Sequence, residues 1–125
     1  MSSSRAAAEA RGRSGETLAA WALRLKGYHI LSRRLKTPLG EIDMVALPVF
    51  GPVCFIEVKA RTSHEAAMLS VGAGQRTRIM RAANLYLAGR PELARRGARF
   101  DIIAVASGHW PRRHADAWWP DDMGN

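Results

Sequence analysis

The chain has 125 residues, enough for one domain with its own core, and 47% hydrophobic with 24% charged residues is ordinary for a globular protein. Nineteen Lys and Arg against eleven Asp and Glu give a net charge of +8 and a pI near 11.0, which favours a polyanionic partner, nucleic acid first. A single cysteine, Cys54, excludes an intramolecular disulfide framework and a cysteine-rich zinc site; with no membrane-length apolar run and no apolar signal core, the sequence reads as soluble and cytoplasmic.

Residues 1–13 are rich in Ser, Ala, Arg and Gly without apolar periodicity and read as a flexible basic N-terminal arm. From Ser14, a good N-cap, Leu18, Trp21, Ala22 and Leu25 fall on one helical face, and Gly27 is a stop signal. Glu16 sits in the first turn, where the helix dipole favours a carboxylate. His29 to Lys36 reads as a first strand. Its Arg33, Arg34 and Lys36 form a basic edge, suited either to phosphate or to keeping an edge strand from aggregating.

Gly40 to Leu47 and Val53 to Arg61 read as two further strands, joined by a five-residue hairpin loop from Pro48 to Pro52. If Leu47 closes the loop opposite Val53, Asp43 falls directly across from Glu57, and Glu41 across from Lys59. Strand alternation puts Glu57 and Lys59 on one face, and Asp43 on one face with Glu41 and Val45. Opposed carboxylates repel, and these lie in strands that are otherwise apolar on both faces. Mg²⁺, which takes one or two carboxylates plus phosphate and water, would offset both charges. The stretch reads as a metal site with a lysine beside it; the alternative is a cross-strand ion pair at the end of a sheet.

A loop from Thr62 to Gly74 leads to a helix from Gln75 to Ala88 with an apolar stripe of Ile79, Ala82, Ala83 and Tyr86. Gln75 lies on the stripe's side, within reach of a site at the sheet end or of a backbone group. Arg76, Arg78 and Arg81 lie away from it, as a solvated face or a surface for phosphate. Pro91 to Arg96 reads as one helical turn and Phe100 to Ala106 as a fourth strand. The tail from His109 holds Trp110, Trp118 and Trp119, read as packing residues, and 120–125 as a terminal tail. His109, His114 and Asp116 lack metal-ligand spacing. No Gly-rich phosphate loop, Ser/His/Asp grouping or internal repeat is visible.

The order helix, three strands, helix, strand, with Asp43 on the second strand and Glu57-Val58-Lys59 on the third, resembles the PD-(D/E)xK nuclease superfamily. More closely, residues 12–118 are similar to the YraN-like family of small bacterial proteins, related in fold to Holliday junction resolvases. The similarity rests on Gly15-Glu16, Gly40-Glu41-Ile42-Asp43, Phe55-Ile56-Glu57-Val58-Lys59 with Arg61, Ala82-Ala83 with Tyr86-Leu87, and Arg99-Phe100-Asp101. It implies an α/β, restriction-endonuclease-like fold over residues 14–119: a central mixed β-sheet flanked by helices, in the order αβββαβ.

The resemblance also implies a metal-dependent nuclease that hydrolyses nucleic-acid phosphodiester bonds, with branched DNA among its candidate substrates. Asp43, Glu57 and the carbonyl of Val58 would hold Mg²⁺ or Mn²⁺, and Lys59 matches the catalytic lysine. Glu16 matches a supplementary helix carboxylate, and Gln75 falls where related nucleases carry glutamine or lysine. Arg33, Arg34, Lys36, Arg61 and Arg76 would contact flanking phosphates. Two positions depart from the pattern: the first acid sits in Glu-Ile-Asp rather than Pro-Asp, and Arg34 stands where the family often has asparagine. The implied partner is nucleic acid, DNA ahead of RNA, with no membrane; the oligomeric state is left open, and a two-fold homodimer would suit a junction substrate. A catalytically inert nucleic-acid-binding module and a protein-interaction domain using the Trp-rich tail stay open beside the enzyme.

Overall fold

The computed structural model of the protein describes residues 15–60, 63–106 and 108–118. The expected arm over 1–13 and tail over 120–125 lie outside the described residues, as do Ser14, Arg61 and Trp119. In chain order the elements are α1 (15–25), β1 (His29–Thr37), β2 (Gly40–Leu47), β3 (Val53–Ala60), α2 (His64–Leu69), α3 (Ala73–Ala88), α4 (Pro91–Ala94), β4 (Ala98–Val105) and β5 (Arg112–Trp118). The strands form one open sheet in the order β1-β2-β3-β4-β5. Among the described residues only the β3–β4 pair is parallel. A parallel pair needs a long crossover, and the segment carrying α2, α3 and α4 supplies it.

β3 is the centre of the molecule, with Val53, Cys54, Phe55 and Ile56 fully buried. Its side chains alternate between two cores, as a central strand covered on both faces requires. Val53 and Phe55 pack with Ile79, Ala82, Ala83 and Tyr86 of α3, while Cys54 and Ile56 pack with Ala19, Ala20 and Leu23 of α1. The α3-side core contains an aromatic chain: Tyr86 stands edge-on to Phe55 at 6.0 Å, Phe55 stacks on Phe100 at 5.8 Å, and Phe100 stacks on Trp118 at 5.4 Å. Trp118 is therefore a packing residue, as expected, whereas Trp110 is exposed. On the other face, Asp101 is fully buried and held bidentately by Arg99, through Nε to Oδ1 and Nη2 to Oδ2, each at 3.0 Å. Arg99 and Arg113 both also donate to the Tyr28 hydroxyl, tying β4 and β5 to the start of β1. Burial works to lower the Arg99 pKa, but the hydrogen bonds to Asp101 and Tyr28 outweigh it and raise it.

The helical turn expected over Pro91 to Arg96 is α4, whereas three other expectations change. The expected order αβββαβ lacks two elements that the structure contains, α2 and β5. α2 occupies the expected loop, and Ser63 caps it by accepting from the Ala66 N–H at 3.1 Å. β5 pairs antiparallel with β4 as a polar edge strand, and its sequence, Arg-Arg-His-Ala-Asp-Ala-Trp, lacks the β-branched alternation that marks a strand. The buried face of α1 is Ala19, Ala20, Ala22 and Leu23, and the larger Leu18, Trp21 and Leu25 of the expected face lie outward. The sheet presents bulky Met44, Ile56 and Ile103 to α1, so close approach selects alanines on the helix. Gly15 marks the same approach, since a Cβ there would lie 2.8 Å from Val105 Cγ2.

Candidate functional site

The end of β1, the start of β2 and the end of β3 meet at one end of the sheet. β2 pairs with β3 through Met44 with Ile56, Val45 with Phe55 and Ala46 with Cys54, the register expected from the hairpin loop. One step further that register sets Asp43 against Glu57. There the backbone ladder gives way to side chains. The Val58 N–H donates to Asp43 Oδ2 at 2.8 Å, and the Asp43 N–H donates to Glu57 Oε1 at 3.3 Å. Each acid thus occupies a backbone position that the diverging strands would leave open.

Simple alternation does not carry through Asp43. Met44 and Ala46 pack on the α1 side and Val45 on the α3 side, yet Ile42 also joins the α3-side core. The β1–β2 ribbon turns here. On β1 the pairing steps from Arg33 with Met44 to Leu35 with Ile42, so Arg34 falls opposite Asp43, and Arg34 has φ 54°. A non-glycine in the left-handed region costs roughly 1–2 kcal/mol, and such strain concentrates at functional sites. Gly40 lets the turned strand pass α3, where a Cβ would lie 2.9 Å from the Arg78 carbonyl oxygen.

The turn opens a cleft of about 530 Å³. All five expected catalytic residues line it: Glu16 from α1, Asp43 from β2, Glu57 and Lys59 from β3, and Gln75 from α3. Val58, Arg34 and Lys36 line it as well. Gln75 Nε2 donates to Glu57 Oε2 at 3.1 Å, and Arg34 Nε donates to Glu16 Oε2 at 3.0 Å. Glu41, which the alignment of strands set across from Lys59, also reaches the cleft wall.

Glu57 is 4% exposed, and its pKa is pushed up to about 8, first by burial and then by the neighbouring charge of Asp43. Asp43 is raised too, by burial first, with the Val58 N–H opposing and the Glu16 charge adding to the rise. The Lys59 charge lowers both, less than burial raises them. Among the described residues neither acid has an ion pair within 4.0 Å. No group of three or more His, Cys, Asp or Glu side chains among the described residues is gathered for a metal ion. The candidate donors are the carboxylates of Asp43 and Glu57 and the backbone carbonyl of Val58, all residues of the cleft wall. That set suits a hard cation which keeps water and phosphate oxygens as its other ligands, and does not suit a closed all-side-chain site.

The expected phosphate contacts divide. Lys36 and Arg34 are at the cleft. Arg33 lies beside it, its Nη2 donating to Thr17 Oγ1 at 3.1 Å. Arg61 lies outside the described residues. Arg76 is spent on structure: its Nε and Nη2 donate to the carbonyls of Val71 and Met68, at 2.9 and 3.3 Å, with its guanidinium 5.5 Å from the Trp118 ring. The Arg99–Asp101 pair that carried part of the resemblance lies in the scaffold, not in the cleft.

An open mixed sheet flanked by helices, with the acids at the fork of its central hairpin, defines an α/β domain compatible with the restriction-endonuclease-like fold. Residues 15–105 match the family described as the uncharacterised protein family UPF0102, and the chain belongs to this family, the YraN family. A UPF0102 protein of Maricaulis maris is 45% identical over 122 residues, covering 98% of this chain and 95% of that protein. A second, from a Chelativorans species, is 48% identical over 108 residues and 86% of each chain. A third, from Paramagnetospirillum magneticum, is 48% identical over 116 residues, covering 90% of this chain and 89% of its own. No helix among the described residues is long and apolar enough to cross a membrane.

Proposed function

We propose that the cleft is a phosphodiester hydrolysis site dependent on Mg²⁺ or Mn²⁺, and that the protein is a nuclease. The observation that carries this reading is the pair of acids, buried Glu57 and half-buried Asp43, fixed at the hairpin fork without an ion pair among the described residues, in a cleft that also carries Arg34, Lys36 and Lys59. Buried like charges are costly unless a cation compensates them. Asp43, Glu57 and the Val58 carbonyl would hold the ion; when bound, it supplies a Lewis acid for the phosphate and a water of lowered pKa.

The chain's own groups account for the rest. Gln75 fixes the Glu57 carboxyl from α3, and the Val58 N–H fixes that of Asp43, so the site is set before substrate arrives. Lys59 brings a cation to the cleft wall, where it holds a water or meets the negative charge that develops on phosphate. Lys36 neutralises a flanking phosphate. Arg34, whose Nε donates to Glu16 at 3.0 Å, is the second cation at the cleft for a flanking phosphate.

The test is a cleavage screen of the wild-type protein on single-stranded, duplex and branched DNA and on RNA, each with Mg²⁺, Mn²⁺ or chelator. The expected result is cleavage of at least one substrate with metal and none with chelator. Absence of cleavage on every substrate in both metals would remove the proposal.

A further inference from the structure

A second pocket, of about 280 Å³, opens beside the β4–β5 turn and the start of α2. Its walls include Trp110, Arg112, His109 and His114. Trp110 is 59% exposed, and Arg112 and His109 are exposed too. A largely exposed indole lining one pocket with an exposed guanidinium and an imidazole is a combination suited to stacking a nucleobase while holding its phosphate.

The register ties this pocket to the acid cleft. Lys59 pairs with Ala104 across β3 and β4, and Ala104 pairs with Arg112 across β4 and β5. Direct cross-strand partners share a face, so Lys59 and Arg112 rise from the same face at the same end of the sheet. Two strand spacings separate them, about 10 Å, which is about three steps of a stacked nucleotide strand at 3.4 Å each. The volume lies just below the range of small-molecule pockets, roughly 300–1,000 Å³, and suits one base better than a duplex end. A base paired within a duplex cannot enter such a pocket, because it stays in the stack unless unpaired.

We propose that the Trp110 pocket is a nucleobase subsite, which captures an unpaired nucleotide a few steps from the phosphate in the Asp43–Glu57 cleft. The inference rests on the nucleic-acid reading of that cleft and sharpens it. The substrate class is then a strand with unpaired bases, such as a single strand, tail or flap, ahead of blunt duplex. Trp110 supplies the stacking face, and Arg112 the charge for the adjoining phosphate.

The test is binding in chelator, read by fluorescence anisotropy. The probes are a labelled DNA duplex with a four-nucleotide thymine tail and the same duplex with an abasic tail. These probes carry equal phosphate charge and differ only in bases. The wild-type protein is expected to prefer the thymine tail about tenfold, Trp110→Ala to lose that preference, and Trp110→Phe to keep most of it. Circular dichroism and the melting temperature check that the alanine variant is folded. Equal wild-type affinity for the two tails would overturn the subsite, as would an undiminished preference in folded Trp110→Ala. Because no metal or cleavage enters this assay, a failed cleavage screen and a failed subsite are read separately.

Discussion

Glu57→Gln should make the metal-free protein more stable, and increasingly so as pH rises. The folded-state pKa of Glu57 is raised from 4.5 to about 8, by burial and then by Asp43. Between those values the folded protein binds the proton more tightly than the unfolded chain, so stability falls as pH climbs through the window. At about 1.4 kcal/mol per pH unit the full rise is worth about 5 kcal/mol, an upper bound because the two acids share the effect. Glutamine removes the ionisation and keeps the contacts. Its carbonyl still accepts from the Asp43 N–H, and Gln75 can turn its amide to accept from the new NH₂. Urea unfolding in chelator at pH 5 and pH 9 measures the effect. The variant should gain a few kcal/mol over the wild type at pH 9 and much less at pH 5. Added Mg²⁺ should stabilise the wild type and narrow the gap. A gap independent of pH, or a variant less stable at pH 9, would refute the reasoning.

Three further outcomes follow from the same geometry. Mn²⁺ binding at pH 7 should release close to one proton, because Glu57 holds it in the metal-free cleft, and release should fade above pH 9; calorimetry in buffers of different ionisation enthalpy measures this, and no release at pH 7 would count against a Glu57 ligand. Asp101→Ala should cost about 3–5 kcal/mol in urea unfolding, since it strips the bidentate partner from Arg99 in a buried network; a loss under about 1 kcal/mol would contradict that role. Arg34→Ala and Lys36→Ala should each reduce the salt slope of DNA binding by about one, whereas Arg76→Ala should lower stability and leave the slope unchanged. An Arg76→Ala slope change equal to that of Lys36→Ala would return Arg76 to the DNA contacts.

Much of the site was legible because its order comes from short-range chemistry. A five-residue loop between two apolar runs fixed the β2–β3 register, and that register alone set Asp43 against Glu57. The helical wheel put Gln75 on the inward side, and it reaches Glu57. What escaped depends on tertiary packing. Nothing local announces that the ribbon turns at Arg34 and Asp43, since Arg34 is not a residue that favours a positive φ. On α1, side-chain size points to Leu18, Trp21 and Leu25 as the buried face, while the tight helix–sheet spacing admits Ala19 and Ala20. β5 exists through its pairing with β4, and the wheel position of Arg76 does not reveal that the carbonyls of Met68 and Val71 lie beside it. Ser63 followed by helix formers was a signal for α2 that the sequence did contain.

The central claim is that Asp43 and Glu57 together hold the cation that makes the cleft a hydrolytic site. It is tested most directly by comparing wild type and Asp43→Asn in one assay, cleavage of the best substrate with Mn²⁺, with DNA binding measured in parallel. Loss of an ion ligand should lower cleavage by more than about 100-fold, beyond the 10- to 100-fold typical of groups that only support a ligand, while DNA affinity stays near that of the wild type. Cleavage by Asp43→Asn at the wild-type rate, or wild-type cleavage that persists in chelator, would contradict the account.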